Sequence, residues 1–251
     1  MLPENKFELH IYENSESFSV AAATWIAGLI TNTLKKQDRF TIALSGGNTP
    51  KKLHHLLAAS PYKEEIDWSK LHVFWGDERA VPFDDDRNNA KMAFETLLNF
   101  VPVPPLQIHR MLTDISPAQS AIEYEKILHQ YFPSGDEKPA HSFDLVLLGM
   151  GGDGHTLSLF PGTPVVHEEK AWVSSFFLNA QNMYRITLTK PIVNRSASIA
   201  FLVTGSDKGH ALQEVLYGNY NPDLYPSQVI QPANGKLHWF LDTDAAASLK
   251  K

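Results

Sequence analysis

The chain has 251 residues, 43% of them hydrophobic, a formal net charge of −6 and no cysteine. The lack of cysteine excludes disulfides, thiol catalysis and cysteine-ligated zinc, and the negative balance argues against general attraction to nucleic acid, so an anionic ligand has to be captured by a local group of cations. Length and apolar content suit one α/β domain over 1–251, and apolar runs such as 198–203 are too short for a bilayer with no basic-then-apolar signal at the amino terminus, so a cytoplasmic protein without a membrane partner is expected.

Strand-like apolar runs fall at 7–12, 40–44, 71–75, 143–148, 172–178, 185–188, 199–203 and 237–241. Helical spacing of apolar residues marks 17–36, 50–59, 88–100, 117–131 and 208–217. This alternation predicts an α/β fold, a doubly wound, mainly parallel sheet with helices on both faces. The stretch 172–189 has the alternative of an antiparallel pair, a small addition to that sheet. Segments 102–105 and 133–136 read as surface connections, and Lys250 and Lys251 as a frayed tail.

The second strand ends in Leu44-Ser45-Gly46-Gly47-Asn48-Thr49-Pro50. Thr49 is expected as the N-cap of the following helix and Pro50 as its first residue. Free amides at that helix start, beside two glycines, suit a phosphate; a plain strand-to-helix turn is the bland alternative. The Walker spacing to Gly-Lys-Ser/Thr is absent, which disfavours nucleoside triphosphates.

The third strand runs into Gly76-Asp77-Glu78-Arg79. Arg79 has the planar fork that holds phosphate, although a surface ion pair explains a lone arginine as well. Asp84-Asp85-Asp86 lacks the alternating spacing of a calcium loop and reads as solvated.

The run from Phe143 to Pro161 carries the most information. An apolar strand empties into Gly149-Met150-Gly151-Gly152-Asp153-Gly154 and then delivers His155. A histidine at the carboxyl end of a buried strand is placed for proton transfer, and Asp153 is near enough in sequence to orient it or a water. Gly149, Gly151 and Gly154 also match the dinucleotide fingerprint. The window 171–178, where a ribose-binding acid is expected, contains none, and two ionisable side chains sit where a pyrophosphate prefers bare amides. The glycines therefore read as a site loop. Ser45 lacks the Gly-x-Ser-x-Gly elbow of a hydrolase nucleophile.

Arg185 alternates with apolar neighbours over 185–189, which an exposed strand face explains equally well. Val203-Thr204-Gly205-Ser206-Asp207-Lys208 repeats the pattern of strand, glycine turn and helix start. A lysine in a first helical turn opposes the helix dipole, and that conflict points to a role for Lys208.

Four ordered blocks carry a family resemblance: 45–50, 76–79, 149–161, and 185–189 with 203–208. Together they make the chain similar to the 6-phosphogluconolactonase family. The resemblance implies the NagB/RpiA/CoA-transferase-like fold shared with glucosamine-6-phosphate isomerase and deaminase relatives. It implies hydrolysis of 6-phospho-D-glucono-1,5-lactone to 6-phosphogluconate, a small-molecule sugar-phosphate lactone as partner, no metal or organic cofactor, and a monomer or small homo-oligomer. On that basis His155 is the expected base with Asp153 beside it. Ser45, Gly46, Gly47, Thr49, Arg79, Arg185 and Lys208 are the expected phosphate and substrate ligands, with phosphate assigned mainly to the loop, Arg79 and Lys208. Two departures stand out: Leu157 where the family usually has alanine, and Arg87-Asn88 where it usually has Ser-Asn. The rival readings are an amino-sugar-phosphate isomerase or deaminase, whose following residues usually include Phe-Asn-Glu where this chain has Leu157-Ser158-Leu159-Phe160-Pro161 and no acid, and a sugar-phosphate-binding regulator without turnover.

Overall fold

The computed structural model describes residues 7–132 and 141–249; the connection expected at 133–136 and the tail at Lys250 and Lys251 lie outside them. Six strands form one parallel sheet in the order β1-β9-β8-β5-β2-β3. They are β1 (Glu8–Tyr12), β2 (Phe40–Leu44), β3 (Leu71–Trp75), β5 (Leu145–Leu148), β8 (Ser198–Val203) and β9 (Lys236–Asp242). Both faces of the central strands are covered, which is why β5 reads Leu-Val-Leu-Leu with no alternation.

On one face lie α1 (Ser15–Leu34) and α2 (Asn48–Leu57), packing Phe18, Ile26 and Leu53 against Leu147, Trp75 and Phe240. On the other lie α5 (Pro117–Tyr131) and α7 (Gly209–Tyr217), packing Tyr124, Leu128 and Leu212 against Val146, Phe201 and Trp239. The rings of Phe201 and Trp239 stack there at 3.8 Å. Asn14 starts α1 through a reciprocal capping box with Ser17. By length and composition α1 is in fact long and apolar enough to cross a membrane, contrary to the expectation from the short apolar runs. Its apolar side is occupied in this fold, since Phe18, Ala22, Ala23, Ile26, Ala27 and Ile30 are buried.

The chain leaves β2 toward β3 on one side and returns to place β5 on the other. Strand order therefore reverses between β2 and β5, and the loops leaving these two strands diverge to opposite faces, opening a crevice at their carboxyl ends. The register is pinned from below. The Asp144 carboxylate accepts from the Thr41 backbone N–H at 2.7 Å and from its hydroxyl at 2.9 Å, and Ile42 and Ala43 pair with Leu145 and Val146.

A second, antiparallel sheet follows the order β4-β7-β6, built from β4 (Asp77–Arg79), β6 (Val173–Leu178) and β7 (Met183–Leu188). The antiparallel alternative for 172–189 is therefore the observed one. β4 is an addition that the sequence hides, because three polar residues look like a turn. Gly76 joins the sheets: its N–H donates to Leu44 O at 2.9 Å and its carbonyl accepts from Leu188 at 2.8 Å. A Cβ there would lie 2.6 Å from Leu157 Cδ2, so a larger residue would push the Leu157 side chain aside at the crevice. The expected helix at 88–100 is two pieces, α4 (Asn89–Ala93) capped by the Asn88 side chain and a π-helical turn at Phe94–Leu98.

Leu147 is fully buried between α1, α2 and the sheet. Its replacement by alanine is expected to destabilise the protein by about 2–5 kcal/mol in denaturant titration. A loss below about 1 kcal/mol would mean that this face is not closed as described.

Candidate active site

Three loops and the small sheet meet at the β2/β5 crevice. The β2 loop contributes Ser45, Gly46 and Gly47, and α2 begins directly after it at Asn48. Gly47, not Thr49, is the N-cap, so the helix starts two residues earlier than the capping preference predicts. No side chain caps it and no acid lies in its first turn, which leaves the first amides available to an anion. Thr49 instead hydrogen-bonds through its hydroxyl to that of Thr204 at 3.0 Å, tying α2 to the end of β8.

The β5 loop folds back on itself to bring Asp153 and His155 together. Gly151 donates to the His155 carbonyl at 2.9 Å, Thr156 Oγ1 donates to Gly149 O at 2.8 Å, and Gly154 O accepts from the Ser227 backbone and hydroxyl at 2.9 and 2.8 Å. Within this frame His155 Nδ1 lies 2.6 Å from Asp153 Oδ1, which also accepts the His155 backbone N–H at 3.1 Å. Burial alone would raise the Asp153 pKa; the bond to the His155 ring, its charge and its N–H outweigh this and hold the carboxyl below its usual range. An ionised Asp153 accepts a proton on Nδ1, so Nε2 carries the lone pair. The imidazole stacks on Phe160 with ring centroids 4.2 Å apart, which fixes the orientation of that lone pair. Residue 151 has to be glycine here, because a Cβ would overlap both His155 Nδ1 and Asp153 Oδ1.

The small sheet supplies the cations. Arg79 on β4 and Arg185 on β7 are direct cross-strand partners. Like charges opposite one another are destabilising unless something negative compensates them. Arg185 is only 4% exposed, so the expectation of a solvent-facing strand position is corrected: the face is covered by the main sheet's loops. Its guanidinium bonds Gln181 Oε1, lies 4.0 Å from Asp77 and sits over the Phe160 ring at 5.6 Å. Burial pushes the Arg185 pKa down, Asp77 pulls it up, and Arg79 adds to the downward push. Asp77 is itself held by Ser158 Oγ at 2.6 Å. Arg79 donates to Arg87 O at 2.8 Å and Asn89 Oδ1 at 3.0 Å. The Nε atoms of both arginines are buried without a protein partner among the described residues, an uncompensated cost of this arrangement.

Glu78 points the other way on β4, as alternation requires, and is 1% exposed. Its carboxyl accepts the backbone N–H groups of Arg79 at 2.8 Å, Asn89 at 2.7 Å and Ala90 at 2.8 Å, which locks Arg79 to the start of α4. Burial pushes its pKa up to about 7 against those three bonds, with the Asp77 charge adding to the rise.

These elements enclose a cleft with two lobes that share Gly46, Gly47, Gly149 and Met150. The first, about 280 Å³, is lined by Ser45, Asp77, Arg79, Asn89, His155, Leu157, Phe160, Gln181 and Arg185. The second, about 340 Å³, is lined by Asn48, Thr49, Pro50, Thr204, Asp207 and Lys208. Arg79 and Lys208, grouped by sequence, thus border different lobes. Lys208 lies just before α7 as its N-cap residue, with Nζ 2.8 Å from Asp207. Ser45 lines the first lobe, its hydroxyl only weakly engaged with Gly46 O at 3.4 Å.

Of the two departures, Leu157 lines the first lobe in a left-handed conformation (φ 54°) that a bulky residue rarely adopts. Arg87 instead forks onto Asp85 at 2.9 and 2.6 Å, and only its carbonyl reaches the site, through Arg79. The triple-aspartate loop is solvated as expected, with Asp84 and Asp86 exposed, and Asp86 also pairs with Lys91 at 2.6 Å. Sequence reasoning gave no role to Glu78, Asn89, Ser158 or Gln181; the contacts of Glu78 with Asn89 and Ala90 span 11 and 12 residues and leave no local signal.

Residues 13–239 match the family described as glucosamine-6-phosphate isomerases/6-phosphogluconolactonase. The chain is 43% identical over 222 residues to the 6-phosphogluconolactonase of Nostoc sp., covering 88% of this chain and 89% of that protein. It is 39% identical over 245 residues to that of Synechocystis sp., covering 97% and 98%. Among solved structures, the 6-phosphogluconolactonase of Trypanosoma cruzi superposes with a TM-score of 0.85 at 28% identity, covering 98% of each chain.

Two outcomes are expected from the geometry. Gly151→Ala abolishes the hydrogen-bonded Nδ1–H proton resonance of His155, because Asp153 is forced away; a resonance unchanged from wild type would contradict the close approach. Glu78, with a folded pKa above its ordinary value, favours the fold when protonated, and that contribution is lost as pH rises from about 4.5 through about 7. The melting temperature of wild type minus that of Glu78→Gln is therefore expected to be greater at pH 5 than at pH 8, and a difference independent of pH would contradict the buried carboxyl.

Proposed function

Because the chain belongs to the glucosamine-6-phosphate isomerase and 6-phosphogluconolactonase family, we propose that it hydrolyses 6-phospho-D-glucono-1,5-lactone to 6-phosphogluconate, the ring-opening step of the oxidative pentose phosphate pathway. The observation that carries the reading is the Asp153–His155 pair, 2.6 Å apart, at the rim of a lobe that also holds two cross-strand arginines.

His155 Nε2 takes a proton from water as the water oxygen bonds to the lactone carbonyl carbon. Asp153 stabilises the resulting imidazolium through the Nδ1–H bond. The carbonyl oxygen becomes an oxyanion next to Arg79 and Arg185, whose guanidinium groups line the same lobe as His155 and supply preorganised positive charge. Collapse breaks the bond to the ring oxygen, which leaves as the C5 hydroxyl after receiving the proton from His155. The step balances with water alone as co-reactant.

The sugar phosphate is assigned to the second lobe, on Lys208, the first amides of α2 and the Thr49 and Thr204 hydroxyls, with Gly46 and Gly47 between the two ends. The product bears a carboxylate and a phosphate, and the cleft has a cationic group at each lobe to match. The deaminase reading lacks a comparable support, because residues 157–161, which follow His155, contain no acid.

The test is hydrolysis of freshly generated lactone, coupled to 6-phosphogluconate oxidation and corrected for spontaneous opening. His155→Asn is expected to lower kcat by about 10²- to 10⁴-fold, and Lys208→Ala to act chiefly by raising KM. A wild-type rate equal to the blank overturns the substrate, and a fully active, folded His155→Asn overturns the base.

A further inference from the structure

Away from the cleft, at the other edge of the main sheet, one group of histidine and carboxylate side chains converges among the described residues: Glu8, His10 and His238. The convergence follows from backbone register. Side chains two apart on a strand share a face, so Glu8 and His10 of β1 point the same way, and the parallel pairing sets Glu8 beside His238 of β9. All three lie on the face covered by α1, where Trp25 packs on the His238 ring at 4.7 Å and Phe240 stacks on His10 at 4.5 Å.

We propose that Glu8, His10 and His238 form a site for a divalent transition-metal ion of the zinc type, which staples the edge strand β1 to β9. The distances carry the proposal. His10 Nε2 lies 3.3 Å from His238 Nδ1, His238 Nδ1 lies 3.3 Å from Glu8 Oε2, and His10 Nε2 lies 3.9 Å from the same oxygen. Three ligands of a tetrahedral zinc ion, at about 2.0–2.1 Å from the metal, are about 3.3–3.4 Å apart, so two edges match and the third needs a shift of about half an ångström. As plain hydrogen bonds the same contacts are poor. Both are long, and His238 Nδ1 carries at most one proton for two acceptors. A metal uses all three lone pairs at once.

The His238 ring is 3% exposed and packed against Trp25, which holds its Nδ1 toward Glu8 and His10. The other Glu8 oxygen is 3.8 Å from Lys236 Nζ, an outer partner for a ligating carboxylate. Two imidazoles and one carboxylate form a donor set suited to zinc and its first-row neighbours rather than to calcium or magnesium. With three protein ligands a fourth position is left for water, but the site stands on the edge strand, outside the cleft, so its assigned effect is on stability.

The experiment uses tag-free protein titrated with Zn²⁺ alone, in wild type and in His155→Asn, the latter to remove the cleft histidine as a competing ligand. One zinc per chain is expected in both. A hundredfold excess of free zinc over its dissociation constant is expected to raise the folding equilibrium constant about a hundredfold in denaturant titration. Glu8→Gln and His10→Gln, both at partly or fully exposed positions, are expected to fold and to weaken binding by more than the about 10- to 100-fold typical of losing an outer-shell partner. Absence of zinc binding in His155→Asn overturns the proposal, as does binding that Glu8→Gln and His10→Gln leave unchanged.

Discussion

Asp144 sits at the start of β5 and grips Thr41 of β2, its carboxylate taking the backbone N–H at 2.7 Å and the hydroxyl at 2.9 Å while its own N–H donates back to Thr41. That reciprocal contact fixes the register of the two strands between which the sheet order reverses. Slippage by one residue would exchange the faces of Val146 and Leu147 and would also shift the points at which the β2 and β5 loops emerge. The two lobes of the cleft, the start of α2 and the presentation of His155 all depend on where those loops leave the sheet.

A chain with a net charge of −6 has concentrated cations where few charges are stable. Arg79 faces Arg185 across a strand pair, both with a buried, unpartnered Nε. Lys208 stands near an uncapped helix start. Leu157 holds a left-handed backbone conformation beside them. Each feature lowers the stability of the unliganded fold, and all of them lie in one crevice. The protein tolerates this because the scaffold beneath is apolar on both faces and because Glu78, Asp77, Gln181 and Ser158 hold the arginines and their surroundings in place. An anionic ligand bridging the two lobes, as proposed, would relieve all of these costs together.

Much of this was legible in the sequence. Continuous apolar runs such as 145–148 identify strands buried on both faces, and the glycine-containing exits of β2, β5 and β8 mark the edge where the cleft opens. Asp153 and His155 are two residues apart, so their contact needed no long-range information. What remained hidden depends on tertiary pairing. β4 is three polar residues whose strand character comes only from β7, and the burial of Arg185 comes from loops packed over a hairpin that looks half-exposed alone. Thr49 is a better N-cap than glycine by local preference, yet a backbone at φ 105° makes Gly47 the start of α2. Glu78 acts through backbone amides 11 and 12 residues away, a contact that no spacing rule encodes.

The central claim is that Asp153 sets the proton position on His155 and does not bind substrate. It is tested most directly by Asp153→Asn, with kcat for lactone hydrolysis and the dissociation constant of 6-phosphogluconate measured on the same preparation. The account predicts a fall in kcat of about 10²- to 10⁴-fold with product affinity unchanged. A kcat at the wild-type level, or a loss of product affinity as large as the loss of rate, would contradict it.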